Sequence, residues 1–158
     1  MSKTILVTGA GSGLGHGTAL GLASKGHKVI ATVENWPQAS QLMEDAKNAG
    51  VDLIVEKLDY LNADDHETVL RKYGQQVDIL CLNAATGETG PIAEVPVDRV
   101  RRVFEVNVFT TLELAQRFAA LFAERGHGKI VFTSSIAGFS IFPFLAPPER
   151  HSRVALQG

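Results

Sequence analysis

A glycine-rich segment near the N-terminus constrains the fold of this chain more than any other feature. Residues 8–15 have the sequence TGAGSGLG, and they lie between an apolar run and a segment of helical spacing. Glycines at such a turn allow the backbone to approach a pyrophosphate closely, and the N-terminus of the following helix supplies N–H donors and a favourable dipole. The segment therefore predicts a loop that binds a dinucleotide. A glycine-rich turn that holds no ligand is the alternative.

The spacing of the glycines distinguishes between kinds of phosphate-binding loop. It fits the pattern T-G-x-x-x-G-x-G and departs from the strict G-x-G-x-x-G pattern, because position 16 is His. No Lys-Ser or Lys-Thr pair follows the last glycine, which disfavours a Walker-type loop. The predicted cofactor contacts in this loop are Gly9, Ser12, Gly13, Leu14 and Gly15.

Short apolar runs alternate with helical patterns along the chain. Five runs rich in β-branched residues lie at residues 4–8, 29–33, 53–58, 77–82 and 129–133. Most are apolar throughout, which is typical of parallel strands covered by helices on both faces. The longest helical stripe spans residues 100–122 and predicts one helix face. The pattern predicts an α/β fold, a Rossmann-type doubly wound parallel sheet in three layers, as a single domain over residues 1–158.

Composition excludes several classes of partner and site. The formal net charge of −2, from 15 basic and 17 acidic residues, favours neither nucleic acid nor an anionic membrane surface. No apolar run approaches the ~18 residues of a membrane span, and the N-terminus lacks the pattern of a signal peptide. Cys81 is the only cysteine, and the 5 histidines share no metal spacing, so we expect neither a disulfide nor a metal site. A cytoplasmic protein is the expectation.

Further motifs in the same order along the chain resemble those of the short-chain dehydrogenase/reductase family. Asp59 follows the third run and resembles the acid that contacts adenine, and Asn83-Ala84 resembles the family's N-N-A-G segment with departures at Leu82 and Ala85. Asn107 and Ser135 match the asparagine and serine of its catalytic set. The resemblance extends from about residue 3 to about residue 147. It implies hydride transfer between a nicotinamide cofactor and a small-molecule alcohol or carbonyl compound.

Each of these polar residues also has a purely structural interpretation. Asn107 interrupts an apolar stripe and must satisfy its amide, either on neighbouring backbone or on a water chain in a proton relay. Ser135 is either a hydrogen-bond donor to a substrate oxygen or a turn serine. Asp59 is either a ligand contact or a cap before a helix, and Asn83 anchors its loop in either case.

The cofactor preference follows from the residue after the second run. Glu34 lies 19 residues after Gly15, close to the ~20 expected of an acid that binds ribose hydroxyls. A carboxylate there repels a 2′-phosphate, and residues 9–15 and 29–41 contain no Arg or Lys. We therefore predict NAD as the cofactor, with NADP less favoured.

The family pattern breaks near residue 148. A tyrosine followed four positions later by a lysine is expected there, but alignment gives either Pro148 and Ser152 or Glu149 and Arg153. The two tyrosines of the chain, at positions 60 and 73, belong to the end of the third run and the following helix, and we do not expect them to reach the site easily. We expect an incomplete dinucleotide-binding domain whose catalysis is impaired and which self-associates through surface left uncovered. A non-catalytic nucleotide-binding domain or an inactive fragment is the alternative.

Overall fold

Five strands form one parallel sheet in the computed structural model, which describes residues 1–91 and 93–135. The strands are β1 (Thr4–Val7), β2 (Lys28–Val33), β3 (Ile54–Lys57), β4 (Ile79–Leu82) and β5 (Lys129–Phe132). Their order in the sheet is β3-β2-β1-β4-β5. Every neighbouring pair is parallel, and the register aligns Leu6 with Ile30 on one side and with Leu80 on the other. The predicted doubly wound sheet is confirmed, with strand ends that differ from the prediction by one or two residues.

Helices connect the strands as the apolar spacing predicts. They are α1 (Gly13–Ser24), α2 (Trp36–Asn48), α3 (Ala63–Tyr73), α4 (Val97–Phe104) and α5 (Thr111–Arg125). Asn35 and Asn62 cap α2 and α3, each accepting hydrogen bonds from backbone N–H groups of the first turn. Gly26 ends the segment after α1 with a φ of +82°.

Two apolar clusters cover the two faces of the sheet and make the fold three layers deep. On one face, Leu6 and Ile30 pack with residues of α3 and α5 such as Val69 and Phe118. On the other face, Val7 and the rest of its cluster pack with α1 and α2. Successive strand residues thus point to opposite helix layers. This arrangement leaves the carboxyl ends of β1, β2, β3 and β4 together at one edge of the sheet.

The predicted long helix over residues 100–122 is continuous but not uniform. Between α4 and α5, residues Glu105–Thr110 form a π-helical segment. The Thr111 hydroxyl donates to the Val106 carbonyl oxygen, five residues back, at 3.0 Å, and so satisfies a carbonyl where the helix widens. The residues of the predicted stripe are buried or half-buried, which confirms the face. The single α-helical geometry expected from the spacing is wrong at this segment.

Candidate cofactor-binding site

A cavity of about 610 Å³ opens at the edge of the sheet where the strand carboxyl ends meet. Its volume lies within the range of small-molecule sites, and its position is where open α/β sheets bind ligands. The predicted residues that line it are Gly9, Ser12, Leu14, Glu34, Asp59, Asn83, Ala84 and Ser135. Gly13, Gly15 and Asn107 are not among its lining residues. Most of the predicted set is therefore brought together in one place.

The glycines of the loop have different structural tasks. A Cβ at Gly9, where φ is +67°, would lie 2.6 Å from the Ala84 Cα. A Cβ at Gly15 would lie 2.5 Å from the Asn83 Nδ2 and closer still to the Gly9 carbonyl. At Gly13, with φ of +57°, an added Cβ meets nothing within 4 Å. Gly9 and Gly15 thus allow the loop backbone to pack closely against Ala84 and Asn83. Gly13 adopts the positive φ of the turn and has open space where a side chain would lie.

The N-terminus of α1 is available for an anion. Ser12 occupies the N-cap position without a side-chain cap hydrogen bond, and the first turn carries no acidic residue. The first helical hydrogen bond runs from the His16 N–H to the Ser12 carbonyl at 3.3 Å. The N–H groups of Gly13, Leu14 and Gly15 therefore have no acceptor within the helix. Free amides at a positive helix end fit a pyrophosphate.

The Thr8 hydroxyl joins the glycine loop to the segments that follow β3 and β4. The Thr8 Oγ1 accepts hydrogen bonds from the Asn83 N–H at 3.0 Å and the Ala84 N–H at 3.1 Å. The buried Tyr60 hydroxyl donates to the same oxygen at 2.8 Å. Burial raises the pKa of Tyr60 to about 12. Tyr60 lines the cavity, but its hydroxyl is engaged by Thr8 and so stabilises the loop.

Asn83 anchors the loop after β4 as the sequence indicates. Its Nδ2 donates to the Thr8 carbonyl at 3.1 Å and to the Gly9 carbonyl at 3.3 Å. These bonds satisfy two carbonyls that leave the end of β1, and they hold the two loops together on one side of the cavity. The structural and functional interpretations of Asn83 therefore coincide.

Glu34 follows β2 directly and is exposed beside the cavity. Its backbone N–H donates to the Gln38 Oε1 at 3.0 Å, and the Gln38 N–H donates to the Asn35 Oδ1 at 3.1 Å. The Gln38 side chain also lies against Gly11, where an added Cβ would come within 2.6 Å of the Oε1. Gln38 thus fixes the wall between the glycine loop and Glu34, a role that the sequence analysis missed.

Asp59 lies in the turn between β3 and α3, whose N-cap is Asn62. Its Oδ1 accepts from the Leu61 N–H at 2.9 Å, and the residue lines the cavity. Its own N–H donates to the Asp65 Oδ2 at 2.9 Å, and that oxygen also pairs with the Lys57 Nζ at 2.6 Å. Burial raises the pKa of Asp65, but these two hydrogen bonds lower it by more, so the pKa lies below its usual value. Asp65 therefore holds the turn that presents Asp59.

Asn107 and Ser135 lie on different elements at the β4–β5 side of the cavity. The Asn107 side chain accepts from the Thr86 N–H and donates to the Thr86 carbonyl, both at 2.9 Å. This pair ties the π-helical segment to the loop after β4. Ser135 is half-buried and lines the cavity with Thr133 and Ser134, just beyond β5.

Several expectations fall on residues that the structure does not describe. The positions aligned with the family's tyrosine and lysine, at 148, 149, 152 and 153, lie outside the described residues. Within residues 1–91 and 93–135, no group of three or more His, Cys, Asp or Glu side chains is arranged to hold a metal ion. In the same part of the chain, no helix has the length and apolarity to cross a membrane.

The parallel sheet, the glycine-rich β1–α1 turn and the cavity at its edge define a Rossmann-type dinucleotide-binding fold. A family model described as short chain dehydrogenase matches residues 3–147. The chain therefore belongs to the short-chain dehydrogenase family.

Individual relatives agree with this assignment. An uncharacterized oxidoreductase from Myxococcus xanthus is 36% identical over 140 residues, which cover 87% of this chain and 55% of that protein. A 7α-hydroxysteroid dehydrogenase in complex with NADH and a 7-oxo bile acid conjugate superimposes with a TM-score of 0.84 and 26% identity, covering 97% of this chain and 60% of the other. A putative gluconate 5-dehydrogenase from Beutenbergia cavernae with bound NADP gives a TM-score of 0.85 and 27% identity, covering 98% and 62%. The chain spans just over half the length of the curated relatives it matches.

Proposed function

We propose that this chain is the dinucleotide-binding domain of an NAD(P)-dependent oxidoreductase that interconverts an alcohol and a carbonyl compound. The observation that carries the proposal is one cavity lined both by the glycine loop at the start of α1 and by Ser135 beyond β5. This cavity would accommodate a cofactor and a reacting oxygen side by side. Membership of the short-chain dehydrogenase family supports the reaction type.

The residues around the cavity fit a nicotinamide dinucleotide. The free amides at the start of α1 would hold the pyrophosphate, and the close approach of Gly9 to Ala84 keeps side chains out of its path. Glu34 would accept hydrogen bonds from the ribose hydroxyls of the adenosine half, and Asp59 would contact the adenine. The loop that contains Asn83 and Ala84 would border the nicotinamide half of the dinucleotide. When bound, the nicotinamide supplies or accepts the hydride.

Ser135 and Asn107 have the remaining proposed roles. The Ser135 hydroxyl donates a hydrogen bond to the substrate oxygen, which gains negative charge when a carbonyl is reduced. Asn107 holds Thr86 through both atoms of its amide, which places the loop that faces the substrate. A water bound by Asn107 in a proton relay is the further part of its proposed role.

The proposed cofactor preference is for NAD, and it rests on the Glu34 carboxylate. A 2′-phosphate on the ribose would bring its negative charge close to the Glu34 carboxylate. The neighbouring side chain, Gln38, is uncharged and would not compensate this charge. We expect tighter binding of NADH than of NADPH in a fluorescence titration. Glu34→Gln is expected to reduce the preference for NADH over NADPH. The substitution removes the repulsion between the carboxylate and the 2′-phosphate but keeps a side chain of the same size.

Glu44→Gln is the matched control for this titration, because Glu44 is an exposed acid on helix α2, which follows Glu34, and it does not line the cavity. It is expected to leave the ratio unchanged. Tighter binding of NADPH by the unmodified chain would contradict the cofactor assignment, and failure to bind either nucleotide would contradict the proposed function.

The surroundings of the protein are a further part of the proposal. We infer a cytoplasmic location from the lone, half-buried Cys81. We also infer a homo-oligomer, since Val97, Phe109 and Leu112 are apolar residues exposed along the α4–α5 helix. Residues 1–158 are proposed to act as one domain.

A further inference from the structure

Arg102 is a cation in the wall of the cavity that no sequence motif assigns. It belongs to a run of three arginines on α4 whose charges have different partners. Arg99 pairs with Glu88 at 3.3 Å, and Arg101 pairs with Asp98 at 2.7 Å. In the part of the chain that the structure describes, the Arg102 guanidinium makes no hydrogen bond or ion pair, and its residue lines the cavity. The sequence pattern places this run mostly off the apolar stripe and predicts a solvated helix face, but Arg102 also reaches the cavity wall.

The contacts of the residues that follow Arg102 in the helix show where this helix lies relative to the cavity. Val106 lies one helical turn further on, lines the cavity, and packs in the same cluster as Leu58 and Tyr60. The Thr110 hydroxyl, another turn further on, donates to the Tyr60 carbonyl at 3.3 Å. The helix thus runs along the turn that follows β3. Arg102 lines the same cavity as residues 58–61, the segment that contains Asp59.

The chemistry of this part of the cavity suits a flat, uncharged aromatic group. Leu58, Leu61 and Val106 supply apolar surface, while Glu34 and Asp59 supply carboxylates that disfavour an anion. A guanidinium plane stacks on aromatic faces and is weakly hydrated, so it binds a purine ring without the need for a negative charge. The pyrophosphate has its own place at the start of α1.

We propose that Arg102 stacks on the adenine of the dinucleotide and closes the base-binding end of the cavity. This inference rests on the proposed function, because it concerns the same cofactor. It adds a specificity-determining residue on α4, an element distinct from the glycine loop and from the turns after β2 and β3.

The test compares the binding of adenosine, AMP and NADH by the full chain and by three variants. Arg102→Leu removes the guanidinium but keeps an apolar side chain of good helix propensity, and Arg102→Lys keeps the charge without the plane. Arg101→Leu is the matched control, because it removes the neighbouring arginine, which does not line the cavity. Circular dichroism and thermal unfolding confirm that each variant is folded.

The expected result is an increase of about tenfold in the Kd of Arg102→Leu for all three ligands. Adenosine is decisive, since it carries no phosphate. We expect a smaller increase for Arg102→Lys and none for Arg101→Leu. A loss confined to AMP and NADH would mean that Arg102 binds phosphate, and it would overturn the stacking.

Unchanged binding of all three ligands by Arg102→Leu would overturn the inference and leave the proposed function intact. Absence of binding by the unmodified chain would instead overturn both. A third result, equal loss in Arg101→Leu and Arg102→Leu, would show a nonspecific effect of charge on α4 and would also overturn the stacking.

Discussion

Three of the four glycines in the TGAGSGLG segment define the T-G-x-x-x-G-x-G pattern, but their surroundings in the structure differ. Gly9 and Gly15 are required by close backbone and side-chain neighbours, namely Ala84 and Asn83. Gly13 has a positive φ of 57° and open space around it. A substitution at Gly15 therefore disturbs the folded loop, whereas a substitution at Gly13 mainly alters what approaches the loop from outside.

Gly13→Ala is expected to weaken NADH binding at least tenfold, because a methyl group beside the free amides of α1 obstructs the pyrophosphate. The positive φ adds a loss of about 1 kcal/mol in the free energy of unfolding. Gly26→Ala is the matched control, since Gly26 also has a positive φ and open space but lies at the other end of α1. Isothermal titration with NADH and urea unfolding separate the two effects. Equal NADH affinity in both variants would contradict the cradle at Gly13.

Sequence reasoning found the residues whose roles are local and missed those whose roles depend on distant contacts. Asn83 follows β4 directly and Asp59 lies two residues after β3, so their place at the sheet edge is predictable from the strand order. Tyr60 bonds Thr8, which is 52 positions away, and no local pattern gives that pairing. Arg102 was missed for a related reason, because helical spacing alone does not tell which neighbour a polar face meets.

At the level of elements, caps were predictable and helix geometry was not. Asn62 before a pair of acids indicates a helix start, and the structure confirms it. The apolar spacing of residues 100–122 is compatible with both α-helical and mixed helices, since buried positions recur every three or four residues in either. The π-helical segment is accompanied by two side-chain hydrogen bonds that the apolar spacing does not predict. Asn107 bonds the distant Thr86, and the Thr111 hydroxyl donates to the Val106 carbonyl five residues back.

Asp65, in the first turn of α3, is expected to make the free energy of unfolding decrease as the pH becomes acidic. Because the pKa of Asp65 is lowered in the folded state, its carboxylate stabilises the fold above its usual pKa of 3.8, and this stabilisation is lost as the pH falls through the lowered value. Asp65→Asn should therefore reduce the free energy of unfolding by about 1 kcal/mol at pH 7 and by less near pH 3.

Asp64→Asn is the control for this measurement, because Asp64 lies in the same turn but has no ion pair among the described residues. Urea unfolding of both variants at the two pH values gives the comparison. An equal loss of stability in the two variants at pH 7 would show that Asp65 acts only through the helix dipole.

At the scale of the whole molecule, the fold was predictable because its signal is spread over the entire chain. Five apolar runs, each separated by a helical pattern, leave few arrangements once crossovers are right-handed. Two apolar clusters, one on each face, then stabilise the sheet. The prediction about catalysis rests instead on a few positions near residue 148, where a departure from the family pattern does not alter the apolar periodicity that predicts the fold.

We predict at most trace turnover by the 158-residue chain. Residues 144–158 contain neither tyrosine nor lysine. The hydroxyls of Tyr60 and Tyr73 donate to Thr8 and Glu56 respectively. General acid catalysis is typically worth 10²–10⁴-fold, and a serine hydroxyl is too weakly acidic to replace it. The measurement is NADH and NADPH oxidation with a panel of ketones and aldehydes. Robust turnover that Ser135→Ala abolishes and Ser134→Ala does not would contradict this prediction.

The π-helical segment also changes the rotation of α5 about the helix axis relative to α4. An α-helix turns by about 100° per residue, so one residue more or less rotates everything beyond it by that angle. The widened turn at Glu105–Thr110 lets α5 keep Phe118 and Phe122 against the sheet while α4 directs Arg102 to the cavity. A single deletion within it would force one of the two helices out of alignment. The orientation of a charge at the cavity is thus set by the count of residues in one helical turn.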